Sequence, residues 1–412
     1  MVEKTVLDCG LVVISEYIPA FPSFAMSYTV RGGSRMESPQ NNGIYHLIEH
    51  MLFKGTTKYN LKEIADISDR LGGKLNAFTS KEMTQFYIKA VDENIKESFD
   101  LLTEMVLCST FPEDEFAKEK SVAIQEILEA EDTPDDNAFE TFYQRVYPQN
   151  GLGYPVGGQV EPVSSLQRDD VYDFYKKHYS PDNLVLAAVG KINHQELVQL
   201  ARKAFKDFPA HPSAYYALEV PRFLNLNFNK ANASLNQVYI ILGFDAISVI
   251  SPERYYYMIL NDILGNGMSS RLFQKIREEK GLAYTVNSFT DSYLDCGLQM
   301  IYSIVEPDNV NECLDAVKEE IFLLKKEGIS DAELTRARDS IKSSIILSLE
   351  NNVSKMRFNV NNELFLNREL STAEIINNIK HVTKDDIHRL LQHHLDLNKM
   401  SIFLYGDVAE KH

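Results

Sequence analysis

The chain has 412 residues, 44% of them apolar and 25% charged, which is ordinary for a globular protein with room for two or three domains. Its formal net charge of -17 excludes nucleic acid and anionic membrane surfaces as good partners and suits basic or extended peptides, although charge alone does not locate the field. No apolar run approaches the roughly 20 residues of a membrane-spanning helix, so no membrane association is expected.

Met1-Val2-Glu3-Lys4-Thr5 leads into a strand-like run without the basic and apolar regions of a signal peptide. Cys9, Cys108, Cys296 and Cys313 are scattered, lack C-x-x-C spacing and read as free thiols of a reducing compartment. The expectation is a cytoplasmic protein, or the mature form of an imported one. Leu11 to Glu16 and Ala25 to Arg31 read as strands, and Gly32 to Ser34 and Ser38 to Gly43 as loops. Ile44 to Phe53 follows as an amphipathic helix. It places His46 and His50 at i and i+4, one turn apart on one face, where two imidazoles can share a metal ion. Glu49 is spaced to reach a water on that metal without being a ligand. The spelling is H-x-x-E-H, the inverted zincin motif. Two histidines half in a helical core also occur without metal, so the remaining residues decide.

Leu61 to Leu71 reads as a helix closed by Gly72-Gly73, Leu75 to Thr79 and Thr84 to Ala90 as strands, and Asn94 to Cys108 as a helix. The next helix runs from after Glu113 to about Ala130 and carries Glu115, Glu119, Glu126 and Glu129. Glu119 and Glu126 share a face; one of these acids can supply a third ligand, or they can simply solvate the helix. Ile124, Ile127 and Leu128 flank Glu126, which is expected to point partly inward. Asp132 to Asp136 breaks the helix, and Asn150 to Pro155 is a loop. Ser165 to Tyr179 reads as a helix, Leu184 to Val189 as a strand and Gln195 to Phe208 as a helix. Pro209 to Pro221, rich in Pro, Ala and Tyr, marks a linker. The second half repeats the first: Gln237 to Phe244 matches Ala25 to Arg31, and the helix Ser251 to Gly265 stands where the histidine helix stood but holds no histidine. Glu333 to Leu349 matches the Glu115 helix, with Ser344 at the place of Glu126, and Met400 to Tyr405 echoes Leu184 to Val189. The layout is thus residues 1–212 with the candidate site, a linker at 213–228, and a homologous domain at 229–412 without it.

Four stretches together resemble the pitrilysin-type metallopeptidases, the inverzincins, and most of all their branch of mitochondrial processing peptidase and its bacterial relatives. They are His46-Leu-Ile-Glu49-His50 with Met51 to Thr56, Gly72 to Thr84, Glu119 with Glu126, and Ser269 to Phe273 with Arg277 to Tyr284. The resemblance implies an α+β fold of two homologous domains, each a mainly antiparallel sheet packed with helices. It implies one zinc per chain held by His46, His50 and Glu126, with Glu49 as general base and Glu119 supporting the ligands. It implies that Asn76, Ala77 and Phe78 pair with substrate backbone, and that Arg277 and Tyr284 contact substrate near the scissile bond. The first strand, at Leu7 to Leu11, and the loop at Gly151 to Gly153 depart from the family's spelling without touching these residues.

The implied activity is zinc-dependent hydrolysis of unfolded or extended peptides. Family members enclose a chamber with four such domains, so this two-domain chain is expected to form a homodimer, or a heterodimer with a degenerate homologue, with Arg277 and Tyr284 serving the partner's site. A non-catalytic assembly subunit is the alternative, and a zinc-retaining peptide-binding chaperone a third; the full ligand set favours the enzyme. His388, His393 and His394 have spacings better suited to a solvated helix face than to a second metal site. His178 reads as packing or facing water, and Tyr255 to Tyr257 as core.

Overall fold

The computed structural model describes residues 2–208 and 218–408. Its strands are β1 (Val2–Val6), β2 (Val12–Tyr17), β3 (Ser23–Val30), β4 (Lys74–Thr79), β5 (Thr84–Val91), β6 (Leu184–Gly190), β7 (Asn227–Ala231), β8 (Val238–Ala246), β9 (Ala283–Ser292), β10 (Gly297–Val305) and β11 (Ser401–Gly406). Its α-helices are α1 (Ile44–Met51), α2 (Leu61–Arg70), α3 (Ile95–Leu107), α4 (Glu113–Asp132), α5 (Pro134–Val146), α6 (Val160–Ser165), α7 (Arg168–His178) and α8 (His194–Ala204). In the second half they are α9 (Arg254–Leu264), α10 (Val310–Glu327), α11 (Asp331–Ser348), α12 (Asn352–Asn361), α13 (Thr372–His381) and α14 (Lys384–His394). Among the described residues no helix is long and apolar enough to cross a membrane.

The chain forms two compact units. The first comprises Met1–Asp132, Asn150–Glu219 and Ser348–Glu369; the second comprises Thr133–Gln149, Val220–Leu347 and Leu370–His412. The first unit holds a six-stranded sheet in the order β1-β2-β6-β3-β5-β4. Its pairs are antiparallel except β2 with β6. Alternation along each strand sends one set of side chains to a large core with α1, α3, α7 and α8, which includes Phe24, Tyr28, Phe86, Leu47, Leu102, Tyr175 and Leu197. The opposite set, Ile14, Ala25, Tyr87, Val185, Ala187 and Val189, packs on Met356 and Val360 of α12.

The second unit repeats the plan. Its order β7-β11-β8-β10-β9 is that of the first sheet without β1, and its parallel pair, β7 with β11, stands where β2 and β6 stand. Helix α5 lies on this sheet as α12 lies on the first. The fully buried ring of Phe142 stacks on Phe228, 6.2 Å between centroids, and sits beside Phe403. Gly243 makes the fit possible, because a Cβ there would meet the Phe142 ring at 2.5 Å.

The α+β duplication agrees with expectation, but the single boundary between residues 1–212 and 229–412 does not. Residues 133–149 and 348–369 each belong to the unit built mainly from the other half. The reason is burial: Phe142 on α5 and Met356 and Val360 on α12 would otherwise leave their apolar stripes in water. The 213–228 linker is corrected at its far end, since β7 begins at Asn227, while residues 209–217 lie outside the described residues. Helix α5 was hidden in a segment read as a helix break. Thr133 leaves the helical conformation, and Pro134, at the first position of a new helix, restarts it. The helix expected over Ser165 to Tyr179 is α7, which starts at Arg168 because Leu166 turns extended after the separate helix α6.

Candidate metal centre

Helix α1 carries the two histidines and is fixed by burial: Ile44, Tyr45, Leu47, Ile48 and Met51 are buried, as is Leu52 just beyond it. Full burial of a Leu or Ile side chain stabilises by about 1.5–3 kcal/mol, so the helix cannot rotate cheaply. Its N-terminus begins at Gly43, whose φ of 99° favours glycine. The buried Glu37 carboxylate accepts from Gly43 N (2.8 Å), Tyr45 N (2.9 Å) and the Asn42 amide (2.7 Å). It thereby satisfies donors that a helix start leaves open. Burial pushes the Glu37 carboxyl up to about 7 despite these bonds.

Helix α4 brings the acids. Phe116, Glu119, Ala123 and Ile127 form its buried stripe, so Glu119 is held inside. Glu126 lies off that stripe and its side chain is 46% exposed, so it points only partly inward. Its neighbour Leu128 is equally exposed. Glu126 still converges on α1. Its Oε2 lies 3.4 Å from His46 Nε2 and 3.4 Å from His50 Nε2. The two rings stand edge to face with centroids 4.6 Å apart.

These three residues place one ligand atom each within 4.8 Å of one another, and among the described residues they are the group of this kind. Bonds of about 2.0–2.1 Å to a tetrahedral zinc put neighbouring ligand atoms about 3.3–3.4 Å apart. The two 3.4 Å separations match such an edge, and both imidazole nitrogens face one carboxylate oxygen. Two neutral imidazoles and a carboxylate also suit zinc chemically. Burial and the neighbouring His50 push His46 down to about 4, so its ring is neutral near pH 7 and needs to lose no proton to bind a metal. The residues present therefore fit the ion.

The supports of the ligands are asymmetric. His50 Nδ1 lies 3.1 Å from Glu119 Oε2, and Glu119 Oε1 receives Lys54 Nζ at 2.8 Å. This His50–Glu119–Lys54 chain fixes which ring nitrogen carries the proton and turns Nε2 toward Glu126. His46 Nδ1 is buried with the Gly157 backbone beside it, and that backbone partly offsets the lowering of the ring's proton affinity. Glu49, on the same helix, receives the Thr79 hydroxyl at 2.5 Å on Oε2. Burial raises its proton affinity, opposed by the Thr79 bond and by His50.

Thr79 ends β4, the outermost strand of its sheet beside β5. Asn76, Ala77 and Phe78 lie on this edge strand, where the Ala77 N–H donates to the Asn76 side-chain oxygen at 2.9 Å. Leu75, Ala77 and Thr79 face α1, while Lys74, Asn76 and Phe78 face α12. In the second unit Arg277 lies over the Tyr284 ring, 4.2 Å from its centroid, and donates to the Tyr284 carbonyl at 3.2 Å; Tyr284 is 77% exposed. The expected pair is thus one exposed cluster. In α9 no histidine occurs, and α11 carries Ser344 where α4 carries Glu126. His388 and His393 are exposed on α14, His178 packs on Phe174 with rings 4.1 Å apart, and Tyr255 and Tyr257 are buried.

Sequence reading missed Glu37, Lys54 and Thr79. Only Thr79 left a usable signal, because its alternation with Leu75 and Ala77 puts it on the core side of the strand.

Comparison with known proteins agrees with this geometry. Residues 12–159 match the family model described as insulinase (peptidase family M16), and residues 165–341 match that described as peptidase M16 inactive domain. A protein of Bacillus subtilis named an uncharacterized zinc protease is 36% identical over 390 residues, covering 95% of each chain. One of the same description from Streptomyces coelicolor is 33% identical and covers 100% of this chain and 90% of its own. Among solved structures, a protease from Helicobacter pylori superposes with a TM-score of 0.91 at 22% identity, covering 98% of this chain and 99% of its own. A peptidase M16 inactive domain protein from Pseudomonas fluorescens gives 0.92 at 21%, covering 100% and 99%. The chain belongs to the pitrilysin-like M16 peptidase family.

Proposed function

We propose that the chain is a zinc metalloendopeptidase acting on unfolded or extended peptides. The observation that carries this is the convergence of His46, His50 and Glu126, with the buried Glu49 beside them and tied to the end of an edge strand. His46, His50 and Glu126 would hold the zinc, which when bound lowers the pKa of a coordinated water toward about 7 and polarises a carbonyl. Glu49 takes a proton from the attacking water and delivers it to the departing amine nitrogen. Its burial suits both roles, since it raises the carboxylate's affinity for that proton. Glu119, backed by Lys54, holds the His50 ring in orientation. An extended peptide adds to the sheet beside β4, pairing with the backbone of Asn76, Ala77 and Phe78 and running toward Thr79 and Glu49. Arg277 and Tyr284 hold the peptide or stabilise developing negative charge on the carbonyl oxygen.

We infer that two copies form the working enzyme, Arg277 and Tyr284 of each serving the other's site; a degenerate homologue as partner is the alternative. Glu49→Gln should retain zinc and lower turnover of a quenched peptide by about 10²- to 10⁴-fold. Undiminished turnover would overturn the assignment of the base. Mixing Glu49→Gln with Tyr284→Phe chains should recover part of the activity, and no recovery with subunit exchange demonstrated would overturn the shared site.

A further inference from the structure

The α12 side of the β4 edge is positive, in a protein whose net charge is -17. Lys74 on β4 stands directly across from Lys89 on β5, and both are exposed. Like charges directly opposed in an antiparallel pair are unfavourable, and no carboxylate pairs with either among the described residues. On the same face Arg357 of α12 lies over two rings, 4.7 Å from the Phe78 centroid and 5.1 Å from that of Tyr87. Its Nε donates to Gln85 Oε1 at 3.3 Å. Among the described residues it too has no carboxylate partner, although a guanidinium has five N–H donors. Asn76 faces Tyr87 and Phe78 faces Gln85 across the sheet, so these residues line one strip from Lys74 to Arg357 at the outer edge.

A strand added beside β4 lies about 4.8 Å away, and every second side chain points to the α12 face. Those side chains meet Lys74, Phe78 and the Arg357 guanidinium rather than the metal centre. We infer that this strip is a substrate subsite selecting acidic side chains, aspartate or glutamate, at alternate positions of the bound peptide. The inference rests on the endopeptidase reading and on peptide pairing with β4. It reverses locally the preference for basic peptides that net charge alone suggests. The aromatic rings below Arg357 hold the guanidinium rigid, so little side-chain freedom is lost on binding.

The test is a set of quenched peptides of one length in which a single glutamate, glutamine or lysine is moved through each position. Wild type at low salt should cleave the glutamate peptide about two- to fivefold faster in kcat/KM than the lysine peptide at alternate positions, as expected for partly exposed ion pairs. The preference should act mainly through KM and should shrink in 0.5 M salt. In Arg357→Met combined with Lys74→Gln and Lys89→Gln the glutamate-to-lysine ratio should fall toward one, and Arg357→Lys should retain part of it. Cleavage with no positional charge preference, or a ratio unchanged in the triple variant, would overturn the subsite while leaving the endopeptidase intact. No cleavage of any peptide by zinc-loaded wild type would overturn the enzymatic reading itself.

Discussion

Replacing Lys54 by methionine tests the support of the metal centre without touching a ligand. Lys54 Nζ is 2.8 Å from Glu119 Oε1, and the two side chains are 21% and 8% exposed. Removing the ammonium leaves a buried carboxylate with His50 Nδ1 as its remaining side-chain partner. The loss of a hydrogen bond between charged groups is worth about 1.5–3 kcal/mol, and partial exposure of Lys54 favours the lower end. A carboxylate left short of a partner is free to turn from His50, so the cost appears in zinc binding. Zinc affinity measured by chelator competition should fall about 10-fold, at the low end of effects known for groups that orient metal ligands. Lys54→Arg should recover much of it. In a Glu119→Gln background, Lys54→Met should cost much less, because the charge it balanced is gone; the cycle isolates the coupling. Equal affinity in wild type and Lys54→Met, or equal losses in both backgrounds, would refute the reasoning.

Other outcomes follow from the same geometry. The Thr79 bond lowers the proton affinity of Glu49, so Thr79→Val should raise it and move the acid limb of the kcat/KM profile to higher pH, with Thr79→Ser restoring it; a fixed limb would exclude the bond's role. Glu37 titrates at about 7 in the fold, above the ordinary glutamate value. A carboxyl raised in this way contributes its stability fully below the unfolded pKa of about 4.3 and loses it as pH rises through 7. The stability of wild type relative to Glu37→Gln, read from urea unfolding of metal-free protein, should therefore be larger at pH 5 than at pH 8. The opposite slope would show that the three hydrogen bonds outweigh burial.

Much of the site could be read from the chain because its chemistry is local. His46, Glu49 and His50 share two turns of one helix, and the face of that helix follows from Leu47, Ile48 and Met51. Glu119 and Glu126 were separable from Glu115 and Glu129 only through resemblance, since helical spacing left four acids as candidates. That Glu126 lies off the buried stripe was not legible, because flanking apolar residues do not reveal the stripe's angle. The duplication was visible in β3 and β8 and in α4 and α11. The crossing of α5 and α12 into the opposite units was not, because which sheet a helix lands on is decided by long-range burial, as with Phe142 against Phe228. Glu37 escaped notice for a related reason: it lies six to eight residues before the amides it caps, outside any short capping motif. Lys54 likewise meets Glu119 across 65 residues of sequence, by packing rather than by spacing.

The most direct measurement is zinc per chain, together with peptide turnover, in wild type and Glu126→Gln. The account predicts close to one zinc and measurable turnover in wild type, with both lost in the variant while its fold, judged by circular dichroism, is unchanged. Close to one zinc in both proteins would contradict the assignment of Glu126 as the third ligand, and wild type prepared without chelator that holds no zinc and cleaves no peptide would contradict the metalloendopeptidase.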